Sequence, residues 1–223
     1  MDILIHILKM ILVLMIATSV HELGHCLMAI FCGVKVKALG IGFGRPYLKL
    51  KLFGIEFRLS PWLLGGFTKL KGEKTKESAG LLVQSYFKKV LIALAGVFMN
   101  LMLILLCYQI NYGSIQVGLW YDIHLIYAIF TKTFTILYEI PFNIPVMKIN
   151  FLCYLSLINL ICLIFNIIPF PPLDGSWLWM FSLERFFKKF KNYIKFITWI
   201  ERIGFSILMV FQVWLVYYWW FVK

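Results

Sequence analysis

A mainly apolar run from Ile3 to Val20 ends directly in His21-Glu22-Leu23-Gly24-His25. About twenty such residues are enough to cross a bilayer as a helix. On that helix His21 and His25 lie one turn apart and share a face, so both imidazoles reach the same point. This is the H-E-x-x-H pattern, which binds zinc and carries a general base. Ionisable groups are costly at membrane depth and mark function. Pattern and location together predict a hydrolytic metal site built within a membrane.

Composition agrees with a membrane protein: 62% of the 223 residues are hydrophobic and the mean hydropathy is +0.87. A soluble domain is nearer half apolar. The five cysteines, Cys26, Cys32, Cys107, Cys153 and Cys162, are odd in number and lie mostly in apolar segments, so they imply no disulfide framework. Cys26, beside His25, reads as a small packed hydrophobe rather than a ligand.

The net charge of +12 is distributed unevenly. Residues 31–90 hold twelve Lys/Arg against three acids, residues 109–150 two against two, and residues 176–202 six against two. Basic loops alternating with a neutral one are what the positive-inside rule gives for an even number of spans, with the basic side cytoplasmic. That side also suits anionic lipid head groups. No nucleic-acid recognition module is visible, so no nucleic-acid partner is expected.

The expected fold is a polytopic α-helical membrane protein with about four transmembrane helices, forming a single domain over residues 1–223. The spans are placed at about 3–30, 90–108, 150–168 and 203–221, with both termini extracytoplasmic. The first is read as a retained span, not a signal peptide, because it lacks a basic leader. Trp214, Tyr217, Tyr218, Trp219 and Trp220 give the last span an interfacial belt. Residues 109–149 are extracytoplasmic, and 119–140 read as an interfacial helix rather than a fifth span, since Asp122, His124 and Lys132 interrupt the apolar run.

Between the first two spans, at about 38–72, a small membrane-associated β-hairpin or sheet is predicted. Gly40–Gly44 reads as a flexible glycine run. Leu48, Leu50 and Leu52 alternate with lysines; after Phe53-Gly54, Ile55, Phe57 and Leu59 alternate with Glu56 and Arg58. Period-two alternation around a turn is a hairpin with one greasy face. Residues 65–70 add a candidate edge strand, able to hold an extended peptide as an extra strand.

Of the ten carboxylates, only Glu22 and Asp174 are read as abutting long apolar runs near the same membrane face. A catalytic zinc takes three protein ligands and keeps an open position. His21 and His25 supply two; the third is a distant His, Asp or Glu, and Asp174 is the best candidate by depth and side. Glu22, offset by one residue, points beside the ion and can take a proton from water. Pro169-Phe170-Pro171-Pro172 stops regular helix just before Asp174. Irregular backbone at membrane depth lines polar cavities. Asn166 and Asn100 are amides in apolar spans, each either a donor to a developing oxyanion or helix–helix glue.

These residues carry a family resemblance. His21-Glu22-Leu23-Gly24-His25, the segment Ala95 to Asn100 and the segment Asn166 to Gly175 resemble the site-2 proteases, intramembrane zinc metalloproteases. The chain is most similar to the bacterial regulator-of-sigma-E protease branch. Gly40–Gly44 resembles that branch's membrane-associated β-loop, Leu64–Lys69 its edge strand, and Arg202-Ile203-Gly204 the entry to its last span. The resemblance implies one Zn2+ held by His21, His25 and Asp174, with Glu22 activating water and Asn166 assisting the tetrahedral intermediate. It implies single-span membrane-protein substrates cut in regulated intramembrane proteolysis. It also implies residence in the bacterial cytoplasmic membrane, with the site toward the cytoplasm. The sequence departs from the pattern at Val97, where proline is usual, and at Ser176, where a second glycine is usual. The PDZ domains of that branch are absent between the second and third spans. Two rivals remain: a catalytically inactive binder of membrane helices, and a metal transporter. The intact quartet His21, Glu22, His25 and Asp174 weighs against the first, and the clustering of polar groups at one depth against the second. Substrate identity and oligomeric state are not encoded in any motif.

Overall fold

A computed structural model describes residues 2–73, 77–131, 150–187 and 193–221. Two long helices form its spine: α1, Asp2–Phe31, and α2, Tyr86–Tyr112. Among the described residues these are the two helices long and apolar enough to cross a membrane, over Leu8–Phe31 and Tyr86–Tyr112. The other helices are α3 (Ile115–Thr131), α4 (Phe151–Ile167), α5 (Asp174–Phe187) and α6 (Tyr193–Phe221). The apolar α4 is shorter than a typical span.

Helix ends follow local chemistry. Ser85 caps α2 by accepting from the Lys88 N–H, so the helix starts four residues before the expected span. Gly113 ends it with φ at 66°, in the left-handed region, its N–H donating to the Gln109 carbonyl. The Asn150 side chain caps α4 by accepting from the Cys153 N–H at 3.0 Å. Helix α6 begins ten residues before the expected span, at Tyr193.

Lipid supplies no hydrophobic drive between helices, so close backbone approach through small residues matters more. Gly24 of α1 is such a point: a Cβ there would lie 2.5 Å from the Ala95 carbonyl oxygen of α2. Farther along the same pair, Val13 packs with Cys107 and with Leu155 of α4. The two spine helices are therefore antiparallel, and α4 lies against both.

Four strands separate α1 from α2: β1 (Val36–Phe43), β2 (Leu48–Leu52), β3 (Ile55–Leu59) and β4 (Trp62–Leu70). Their order is β2-β3-β1-β4. The expected hairpin is β2–β3, with Leu48 opposite Leu59 and Leu52 opposite Ile55. Phe53 and Gly54 turn it with φ of 52° and 81°, the two positive angles of a type I′ turn. Every residue of β2 is exposed.

The glycine run differs from expectation. Gly40, Ile41, Gly42 and Phe43 are not a flexible loop but the second half of β1, parallel to β3 and antiparallel to β4. The physical reason is space: a Cβ on Gly40 would collide with the Phe67 ring of β4, and one on Gly42 would lie 2.6 Å from the Ser60 carbonyl oxygen.

Two acids outside the expected metal site, Asp122 of the expected interfacial segment and Glu184, are buried. Asp122 of α3 is fully buried, accepting from Tyr108 Oη of α2 at 2.9 Å and from Ser156 Oγ of α4 at 3.2 Å. Glu184 of α5 is paired with Lys89 of α2, and both are buried. Helix α3 is packed against α2 and α4 by its Tyr121–Asp122–Leu125 side, while Leu119, Ile123 and Tyr127 face outward. Of the expected interfacial segment, 132–149 lies outside the described residues.

Candidate metal centre

The chain break after α4 determines where Asp174 sits. Ile168 leaves the helix, and short bonds from Phe170 N–H to the Ile168 carbonyl and from Leu173 N–H to the Phe170 carbonyl fold the proline segment tightly. Asp174 is the first residue of α5. Gly175 follows because a Cβ there would strike the Ile167 carbonyl oxygen, so the start of α5 presses on the end of α4. Gly204 of α6 is likewise closed against the Pro171 carbonyl.

This turn brings Asp174 to the histidines of α1, 149 residues from His25 in sequence. Asp174 Oδ2 lies 2.7 Å from His21 Nε2 and 3.1 Å from His25 Nε2, and the two Nε2 atoms are 3.1 Å apart. The side chains of His21, His25 and Asp174 are 10%, 12% and 19% exposed. Among the described residues this is the group of histidine, cysteine and acidic side chains that fits a metal ion.

Hydrogen positions follow from one contact. His25 Nδ1 is 2.7 Å from the Ile92 carbonyl oxygen of α2, which only accepts, so Nδ1 carries the proton. In the neutral ring Nε2 is then a bare lone pair. It faces another imidazole nitrogen and a carboxylate oxygen. These three atoms stay together in a buried space only with a cation or a proton among them. Tetrahedral ligation at about 2.0–2.1 Å would set the donor atoms about 3.3 Å apart. The observed 2.7–3.1 Å is a few tenths shorter, a gap small side-chain movements close. Two imidazoles and one carboxylate therefore fit a divalent ion of zinc's preferences.

Gly96 of α2 makes room for the cluster. A Cβ there would collide with His25 Nε2 and lie 2.6–2.7 Å from His21 Cε1 and Nε2. His21 Nδ1 is buried and has no hydrogen-bond partner. A cavity of about 220 Å3 opens beside His25 and Asp174, with Glu22, Thr68, Lys89 and Trp177 in its wall.

Glu22 projects beside the cluster, as its one-residue offset requires. Its carboxylate Oε2 accepts from Thr68 Oγ1 of β4 at 2.7 Å, and Gly66 of the same strand leaves space for it: a Cβ there would lie 2.8 Å from Glu22 Cγ. Asn166 is in the last turn of α4, half-buried, and is not part of the cavity wall. Asn100 is fully buried, with both side-chain polar atoms unpaired. His124, one of the residues that interrupt the apolar run of α3, stacks on Trp120 at 3.9 Å and hydrogen-bonds its carbonyl. Sequence reasoning missed Thr68 and left the physical roles of Gly66 and Gly96 unstated. All three fall in segments singled out from the sequence, 65–70 and 95–100, but without these roles.

An H-E-x-x-H helix completed by an aspartate from a second helix, in a chain with two long apolar helices, has the donor set of a metallopeptidase-type centre. The chain belongs to the membrane-embedded peptidase family M50, whose model matches residues 9–211. Relatives carry the name "putative zinc metalloprotease". One from Helicobacter pylori is 40% identical over 105 residues, covering 44% of this chain and 30% of that protein. One from Borreliella burgdorferi is 41% identical over 108 residues, covering 43% and 25%. One from Campylobacter jejuni is 39% identical over 115 residues, covering 48% and 31%. The chain thus matches about a third or less of the length of these relatives.

Proposed function

We propose that this chain is an intramembrane zinc metalloendopeptidase that hydrolyses a peptide bond within or near the transmembrane segment of single-span membrane proteins. His21, His25 and Asp174 hold one zinc ion. The observation that carries this reading is the convergence of their three potential ligand atoms within 3.1 Å in a buried space. When bound, the ion supplies Lewis-acid polarisation of water and of the scissile carbonyl.

The chain's own groups do the rest. Glu22 takes the proton from the attacking water at its carboxylate and passes it to the leaving amine. Asn166 donates to the developing oxyanion from the last turn of α4. A helical peptide bond is hidden in its own hydrogen bonds, so the substrate must unwind first. The outer edge of β4, the last strand of the sheet, offers backbone pairing to the opened segment. Helices α1, α2, α4 and α6 form four spans of a single domain. The basic segments and the sheet lie on the cytoplasmic side of a bacterial inner membrane, in line with the charge distribution.

The test uses the full chain in nanodiscs with a panel of single-span substrates. Glu22→Gln is expected to retain one zinc per chain while cleavage falls about 10²–10⁴-fold. Wild-type cleavage by Glu22→Gln would remove it as the base.

A further inference from the structure

Glu22 has three side-chain torsions, and its offset on α1 does not by itself aim the carboxylate. Thr68 does so from a different element. Its Oγ1 lies 2.7 Å from Glu22 Oε2 and 2.9 Å from the Glu22 backbone carbonyl oxygen. The hydroxyl has one proton and faces two acceptors, with the carboxylate the nearer. Among the described residues, no other side chain hydrogen-bonds the Glu22 carboxylate.

The strand fixes where that hydroxyl is. Thr68 pairs with Leu39 of β1, between the Gly40–Phe67 and Ala38–Lys69 pairs. A slip of one residue would turn Thr68 to the opposite face. Two positions back on the same face, Gly66 abuts Glu22 Cγ. The strand therefore grips Glu22 at two successive positions, one by space and one by a hydrogen bond.

We propose that Thr68 is a positioning residue: its hydroxyl aims the Glu22 carboxylate and ties the orientation of the base to the register of β4, the strand with the open edge. This rests on the reading of Glu22 as the base. Ordering the carboxylate before reaction removes its rotational freedom from the barrier. The effect falls on turnover rather than on substrate affinity, because Thr68 orients a reacting group and leaves the metal ligands alone.

The test compares Thr68→Val, Thr68→Ser, Glu22→Gln and the Thr68→Val/Glu22→Gln double variant, as full-length zinc-loaded chains. Valine keeps the branched strand shape and removes the hydroxyl. Thr68→Val is expected to hold one zinc per chain, to leave the visible spectrum of the cobalt-substituted protein unchanged, and to keep KM within about twofold. Its kcat should fall about ten- to a hundredfold, part of what a positioned base contributes. Thr68→Ser should recover kcat to within about threefold, and the double variant should be no slower than Glu22→Gln alone, since the two act as one unit. Independently of turnover, the metal-free protein's carboxylate stretching bands, assigned through Glu22→Gln difference infrared spectra, should shift in Thr68→Val and return in Thr68→Ser. Wild-type kcat and unshifted bands in Thr68→Val overturn the proposal while leaving Glu22 as the base if Glu22→Gln is inactive. Loss of zinc in Thr68→Val, or equal impairment of valine and serine variants, assigns Thr68 to structure and also overturns it. Full activity of Glu22→Gln overturns both readings.

Discussion

Helix α2 borders two buried polar clusters that are finished in opposite ways. Around Tyr108, one oxygen of the Asp122 carboxylate accepts from Tyr108 and the other faces the Ser156 hydroxyl, whose single proton is shared with the Cys153 carbonyl oxygen. Both carboxylate oxygens have a polar partner, and the result ties α2, α3 and α4 together. Around Gly96, one oxygen of Asp174 faces two imidazole nitrogens that also face each other, and His21 Nδ1 has no partner. Acceptors there outnumber donors. A buried polar network that closes on itself is a structural tie; one that converges with unmatched lone pairs is built for something the polypeptide does not supply.

Two glycines separate the clusters most strongly. Gly96→Ala would push a Cβ into both imidazoles. Zinc affinity, read by chelator competition, is expected to fall about 100-fold or more, the upper range for disturbed ligand shells. Gly118→Ala would push a Cβ into the Tyr108 ring of the other cluster. It is expected to lower thermal stability while the folded fraction keeps its zinc affinity within about twofold. Equal loss of zinc in both variants would erase the distinction.

The next effect concerns Lys89 and Glu184, a buried pair between α2 and α5. Lys89→Met leaves a lone buried carboxylate and should cost about 3–5 kcal/mol in denaturation; adding Glu184→Leu should recover most of it. A smaller effect is expected at Tyr108→Phe, which removes one of the two donors to Asp122. Membrane hydrogen bonds of this kind contribute about 0.6 kcal/mol on average and up to about 1.7. Ser156→Ala, at the longer of the two bonds, should cost about 0.5 kcal/mol. Neither substitution should change cleavage per folded molecule, and a change in kcat would connect the two clusters.

The two clusters also differ in how far the sequence reveals them. His21, Glu22 and His25 fall within one helical turn, and Asp174 follows a proline break that marks its own position. The β2–β3 hairpin was equally legible, because alternation and the Phe53-Gly54 turn are local signals. Asp122 was not: its donors lie 14 and 34 residues away, and a lone acid in an apolar run looks like an interruption. Lys89 and Glu184 are 95 residues apart and each alone resembles a solvated charge. Gly40 to Phe43 looked flexible because glycine content carries two meanings, freedom and closeness, and only the Phe67 ring across the ladder decides for closeness. Thr68 lies in the segment read as an edge strand, but nothing local shows that its hydroxyl reaches Glu22 across 46 residues.

Whether His21, His25 and Asp174 together hold one ion is read by X-ray absorption at the zinc edge of the purified chain. The expected result is one zinc per chain with nitrogen and oxygen neighbours at about 2.0–2.1 Å, and loss of that zinc in Asp174→Ala. Sulfur scattering at about 2.3 Å, which would place Cys26 in the shell, or an unchanged zinc environment in Asp174→Ala, would contradict it.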